Sequence, residues 1–328
     1  MTGAAQDSAI APPQLGNGVV RILSTDEPDT SESFGSQWFS DLGLLISDEG
    51  HVVANALAAS AAIVAVFADG RRHAGKLVAA DAYGNLALFK LAGLQREPVP
   101  QMRTGDARNG ERVHAVLATR DGIRRTITST IHDAQRVVRP SASSHSPAGP
   151  YIEILQPDKP GPIQGPIFDD SGKVLGFVTL ESRPENKTQM ALAVPIADVL
   201  RIADELDAKG KVRRARLGIG FMTVSKELAE ERGLAEPTGV LVGKADKGGP
   251  ADRAGLGPGD IILRLGPDVI RHSDDYLVAL GRLRAGTRIE VEVLGPGGRR
   301  SVRVMTGELV YDPNAPRERT PEDPKSLR

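Results

Sequence analysis

Cysteine is absent from this 328-residue chain, which excludes disulfides, a thiolate metal site and a cysteine nucleophile, and leaves the compartment open. Aromatics make up only 4% of the residues, so the cores must be built from Val, Leu, Ile and Ala. Neither sign of charge dominates. The 41 basic and 42 acidic side chains leave no net field to draw in nucleic acid or an acidic surface. No apolar run approaches the length that spans a bilayer. The opening MTGAAQDSAIAPPQ has neither a basic start nor an apolar stretch, so no signal peptide is read there. The six histidines, at 51, 73, 114, 132, 145 and 272, show no HxxxH or HxH spacing, and no metal or cofactor is expected.

What is present is a globular composition, 40% hydrophobic, in a chain long enough for two or three cores. Residues 1–16 are small, polar and Pro-containing and are expected to be disordered. From Gly18 the chain reads as short strands at regular spacing with turn signals between them, the pattern of an all-β barrel. Phe34 to Phe39 holds the single Trp, flanked by two Phe, and reads either as a barrel plug or as a subunit contact. Arg136 to Pro150 is Ser/Pro-rich and reads as a surface loop. Pro195 is expected to start a helix at a favoured first-turn position, with Ile196, Val199, Leu200, Ala203 and Leu206 at helical spacing, and Gly210 ends it. Beyond a basic linker, Lys211 to Arg216, come strands with short helices at Lys226 to Gly233 and Pro250 to Ala254. A longer helix is expected at Ser273 to Leu283, capped by Ser273 or Asp274. A hairpin across Gly295-Pro296-Gly297-Gly298 closes the pattern. The Pro- and charge-rich tail is expected to be disordered.

The most telling stretch is Tyr151 to Leu180, YIEILQPDKPGPIQGPIFDDSGKVLGFVTL. A loop this dense in Gly and Pro between two strands is a fixed backbone shape. Two further marks lie at Gly249-Pro250-Ala251-Asp252-Arg253-Ala254-Gly255-Leu256 and Pro258-Gly259-Asp260-Ile261-Ile262. Together these stretches resemble the HtrA-type family of chymotrypsin-fold serine proteases, with motif order matching over roughly residues 18 to 308. The resemblance implies a mostly β chain. A chymotrypsin-like double β-barrel over residues 17–210 would precede a PDZ domain, a partly open α+β sandwich with two helices, over 211–308. Disordered segments would lie at 1–16 and 309–328.

The same resemblance finds the chemistry missing. In the family a loop reading Asn-Pro-Gly-Asn-Ser-Gly-Gly-Pro carries the nucleophile. Here it reads Lys159-Pro160-Gly161-Pro162-Ile163-Gln164-Gly165-Pro166, with Ile163 in the nucleophile position. The frame of the general base reads Ala54-Asn55-Ala56-Leu57-Ala58-Ala59, so Leu57 stands for the imidazole. The frame of the carboxylate reads Gly84-Asn85-Leu86-Ala87-Leu88-Phe89-Lys90, so Asn85 stands for the acid. Leu155 also replaces an acidic residue upstream of the loop. Hydrolysis on this scaffold needs a hydroxyl, an imidazole and a carboxylate to hold the imidazole's tautomer. A vestigial oxyanion loop remains at Gly161 and Ile163, but Pro162 brings no N–H to it. Chemistry relocated to Ser143-Ser144-His145-Ser146 is the rival reading of these residues.

For the PDZ part the resemblance implies an added peptide strand whose terminal carboxylate sits in a nest of backbone N–H groups. The residues implied are Arg216, Leu217, Gly218, Ile219 and Phe221 on the loop and strand, with Leu277 and Leu280 on the facing helix. Leu217 and Ile219 also suit plain core strand positions.

The function expected is a catalytically inactive HtrA-like protein that binds peptides or unfolded protein C-termini as a chaperone, adaptor or regulatory partner. It would act as a homotrimer or mixed with an active relative. A serine endopeptidase with a displaced site and a structural PDZ scaffold are the alternatives. The family points to the periplasm or cell envelope.

Overall fold

The computed structural model describes residues 18–24, 39–56, 62–81, 84–94, 97–118, 124–137, 150–155, 165–182 and 190–309. They fall into two compact units, which part after Val212.

The first unit opens with six strands: β1 (Val19–Ser24), β2 (Phe39–Leu45), β3 (His51–Asn55), β4 (Ala62–Val66), β5 (Arg72–Asp81) and β6 (Leu86–Leu91). They close into a barrel in the order β1-β2-β3-β6-β5-β4, with β4 returning to β1 through pairs such as Arg21 with Val66. Closure leaves no sheet edge exposed to further pairing. Alternate residues point inward, so Val20, Ile22, Val52, Ala54, Ile63, Ala65, Ala87 and Phe89 form one core. A second set of six follows: β7 (Arg112–Ala118), β8 (Arg124–Val137), β9 (Pro150–Leu155), β10 (Gly165–Asp169), β11 (Val174–Ser182) and β12 (Met190–Pro195). These close as β10-β11-β12-β9-β8-β7 around Val113, Ile131, Ile152, Ile154, Ile167 and Val178.

The barrels meet closely. A Cβ on Gly165, whose φ is +129°, would lie 3.1 Å from the Leu42 side chain and 3.3 Å from the Val116 carbonyl oxygen. Helix α1 (Ile196–Lys209) follows β12 directly. Pro195 is its cap residue and Gly210, at φ 66°, its left-handed end. The expected face holds except in one place. Ile202 is buried where Leu200 was expected, and Leu200 is half-buried.

The second unit contains β13 (Ala215–Arg216), β14 (Ile219–Thr223), α2 (Lys226–Glu231), β15 (Val240–Ala245), α3 (Pro250–Arg253), β16 (Ile261–Leu265) and β17 (Asp268–Val269). After these come α4 (Ser273–Gly281), β18 (Arg288–Gly295), β19 (Gly298–Met305) and β20 (Gly307–Glu308). One sheet runs β14-β15-β16-β18-β19, with β17 paired to β16, and β13 pairs with β20. The end of the basic linker is therefore strand rather than coil. Its core collects Leu217, Val240, Val242, Ile262, Tyr276, Val291, Val293 and Val304.

Two expectations need correcting. Helix α4 is capped by His272, whose Nδ1 accepts from the Asp275 N–H at 3.4 Å; Ser273 lies within the helix and is buried. Ser273 instead shares its hydroxyl with Thr223 at 2.7 Å, and that tertiary bond outcompetes a local cap. Strand β8 also runs on through Val137, past the point where the sequence suggested a loop.

Asp260 is buried, and Arg300 reaches it with two donors at 2.9 and 2.8 Å while the Gly257 N–H adds a third at 3.0 Å. Removing the guanidinium leaves a buried carboxylate short of partners. Arg300→Ala is expected to lower the stability of the second unit by about 2–3 kcal/mol, read from its urea midpoint.

Candidate functional site

Two places carry functional geometry: the end of the second unit where β14 begins, and the meeting of the two barrels.

At the first, Leu217 is buried and its carbonyl accepts from the Ala251 N–H at 2.9 Å. The Gly218 carbonyl accepts from the Asp246 N–H, also at 2.9 Å. In a trans peptide the C=O and the following N–H point opposite ways. Both carbonyls are tied inward, so the N–H groups of Gly218 and Ile219 are turned outward in succession. The left-handed φ of +72° at Gly218 permits this, and together they make a nest that suits an anion.

The nest opens onto β14. Among the described residues this strand pairs on one edge alone, with β15, so its other edge is free to take an added strand. Helix α4 packs beside it. The Phe221 ring meets Tyr276 with centroids 4.5 Å apart, and Thr223 Oγ1 accepts from the Ser273 N–H at 3.0 Å. Burial pushes the Tyr276 phenol up. Ile219 and Phe221 from the strand, and Leu277 and Leu280 from the helix, are all partly buried against the same core, leaving apolar surface available to a ligand side chain. Arg216 is half exposed, with its Nη1 3.4 Å from Asp246 Oδ2.

Between the barrels, Asn85 precedes β6 with φ 53°, the one non-glycine residue with positive φ among those described. Its Nδ2 donates to the Thr179 carbonyl at 2.6 Å, across from one barrel to the other. Asn55 Nδ2 donates to the same oxygen at 3.4 Å. The backbone of Asn85 also accepts from the Ala56 N–H at 3.2 Å. Thr179 is buried, and its own hydroxyl has no hydrogen-bond partner among the described residues. The arrangement is neutral. Amides donate where a carboxylate can only accept.

Residues 35–177 match the family model described as a trypsin-like peptidase domain, and residues 215–306 match that of a PDZ domain. The chain thus joins a trypsin-like peptidase domain to a PDZ domain. It is 32% identical over 273 residues to a probable periplasmic serine endoprotease DegP-like of Ectopseudomonas mendocina, covering 81% of this chain and 56% of that one. A protein of the same description from Pseudomonas fulva is 30% identical over 279 residues, covering 82% and 56%. The chain thus spans just over half the length of these relatives. Among solved structures, the HtrA-type protease AlgW with decapeptide superposes with a TM-score of 0.68 at 22% identity, covering 90% of this chain and 97% of that one. The serine endoprotease from Yersinia pestis does so at 0.62 and 21%, covering 90% and 96%. These likenesses establish the fold: two six-stranded barrels of the chymotrypsin type, then a PDZ domain.

The seven residues named for the peptide groove lie at the end of β13 (Arg216), on the loop that follows (Leu217, Gly218), on β14 (Ile219, Phe221) and on α4 (Leu277, Leu280). Leu57, Gly161 and Ile163 lie outside the described residues, as do Ser143 to Ser146 and residues 34–38. Of the three residues expected in place of the triad, Asn85 is the one described. Sequence reasoning missed Thr179, Asn55, Asp246 and the Thr223–Ser273 pair. Each acts through a partner distant in sequence, and no spacing signals it. No cluster of potential metal ligands occurs among the described residues, and no described helix is long and apolar enough to cross a membrane.

Proposed function

We propose that this HtrA-type chain is a peptide-binding protein without peptidase activity. It would hold peptide C-termini or unfolded segments in its PDZ groove and act as an adaptor or chaperone, alone or assembled with an active relative. The observation that carries the proposal is Asn85. In the frame where the family keeps its carboxylate, an uncharged amide donates to the Thr179 carbonyl at 2.6 Å. An amide in that position supplies no charge to stabilise an imidazolium, and Leu57 supplies no imidazole. The outward N–H groups of Gly218 and Ile219, the free edge of β14 and the apolar face shared with α4 support the binding half. The test joins two measurements on the purified chain: capture of free-carboxylate peptides over their amides, and labelling by a fluorophosphonate. Capture without labelling is expected. A labelled hydroxyl would overturn the inactivity.

A second reading, an endopeptidase with displaced chemistry, has one observation in its favour. Thr128 Oγ1 lies 3.1 Å from His114 Nδ1, and His114 Nε2 lies 2.9 Å from Asp170 Oδ1. That is a hydroxyl, imidazole and carboxylate in sequence, on the outer face of the second barrel. It ranks second because Arg112 already claims the carboxylate, donating to Asp170 at 2.8 and 2.9 Å and holding its carboxyl below the usual range. This reading predicts fluorophosphonate labelling that disappears in Thr128→Ala.

A further inference from the structure

We propose that Asp246 is a fixed electrostatic brake on the carboxylate nest, so that the groove holds a peptide's free C-terminus less tightly than its geometry permits, with Arg216 partly releasing the brake. The inference rests on the peptide-binding reading above and names a residue that sets affinity within it.

Asp246 follows β15, and its backbone is stitched to the nest, since its N–H donates to the Gly218 carbonyl at 2.9 Å. Its side chain stays close by. A Cβ added to Gly218 would lie 3.1 Å from Asp246 Oδ2. The backbone of the turn that carries Asp246 is pinned. The Gly249 N–H donates to the Asp246 carbonyl at 2.7 Å, and the Gly248 N–H donates to Asp252 Oδ2 at 2.8 Å. A Cβ on Gly249 would meet the Asp246 carbonyl oxygen at 2.7 Å, so the turn is closed on glycine. A negative charge is thus held close to Gly218, on the side of the loop where its carbonyl is tied, and its field opposes an anion drawn to the outward N–H groups.

The compensating charge is Arg216, 3.4 Å from Asp246 Oδ2. Lys244 and Lys247 flank Asp246 in sequence, and Asp252 is engaged with Gly248. A ligand carboxylate entering the nest would compete with Asp246 for one guanidinium and be repelled by its charge. Both side chains are about two-fifths exposed, so water screens the interaction without abolishing it. A like charge several ångströms away under such screening changes affinity by about three- to tenfold.

The experiment uses the full chain and an array of fluorescein-labelled decapeptides differing in the C-terminal residue, each with a free carboxylate and as the amide. Asp246→Asn keeps the shape and removes the charge. It is expected to tighten binding of the carboxylate peptides about three- to tenfold and to leave the amides unchanged. Arg216→Gln is expected to weaken carboxylate binding by a similar factor, and the double variant to return near the parent. Added salt is expected to weaken Asp246→Asn more than the parent, because the freed Arg216 then attracts the ligand. A parent chain with no preference for carboxylate over amide would remove the binding reading itself. A clear preference with no tightening in Asp246→Asn would leave the groove standing and overturn the brake.

Discussion

Gly218→Ala is expected to weaken binding of a free-carboxylate peptide by about tenfold or more. The residue sits at φ +72°, where an L side chain costs about 1–2 kcal/mol. Its new Cβ would lie 3.1 Å from Asp246 Oδ2 and 3.4 Å from Pro250 Cδ, and Pro250 is buried at the start of α3. Relief of that strain turns the peptide planes on either side of the residue. Those planes aim the Gly218 and Ile219 N–H groups outward, so the loss falls on the nest rather than on the apolar face. Amidated peptides, which do not use the nest, are expected to lose far less. The remaining fold gives the control. Leu217 and the rest of its core do not depend on the side chain at 218, so the thermal midpoint should fall only modestly. A variant that binds carboxylate peptides as well as the parent would show that the nest is not the anchor.

How far the sequence reaches into this structure depends on the range of the interaction. The Gly-Pro-Ala-Asp-Arg-Ala-Gly-Leu turn from Gly249 was legible because its glycines and proline act on their own backbone. The barrel strands were legible through two-residue alternation, as in β4, where Ile63 and Ala65 are buried between half-buried neighbours. The α4 cap was not legible. Ser273 and Asp274 are good cap residues, yet the position fell to His272 because Thr223, fifty positions earlier, takes the Ser273 hydroxyl. The same holds at the candidate sites. The frame around Asn85 marked it as a substituted acid, but nothing in that frame reveals that its amide spans 94 positions to the Thr179 carbonyl. Asp246 sits in a plain turn whose consequence appears only when β14 and β15 lie side by side.

Fluorogenic casein should be cleaved by this chain about a million-fold more slowly than by a triad-bearing relative, which is to say at background. On the proposed reading the three roles fail separately. Ile163 offers no hydroxyl, Leu57 cannot take a proton, and Asn85 carries no charge. In chymotrypsin-type triads, exchanging the acid alone for its amide lowers turnover about 10⁴-fold. Losses within one catalytic unit do not multiply, so the nucleophile and base set the total. Restoring one part should therefore restore nothing. Asn85→Asp would supply a carboxylate with no imidazole to hold, and its turnover should stay at the parent's level. It should also cost stability. An Asp cannot donate to the Thr179 carbonyl, which would lose its 2.6 Å donor, and a buried acceptor short of a partner costs about 1–3 kcal/mol. Thr179 Oγ1, buried and without a partner among the described residues, would offset part of that cost by turning to the new carboxylate. The loss caused by Asn85→Asp should then be smaller in the parent than in a Thr179→Val background, a coupling that a double-mutant cycle read by thermal unfolding resolves. Casein cleavage above background that vanished in Thr128→Ala would move the chemistry to the His114 face. Cleavage that survived Thr128→Ala would place a nucleophile where neither reading puts one.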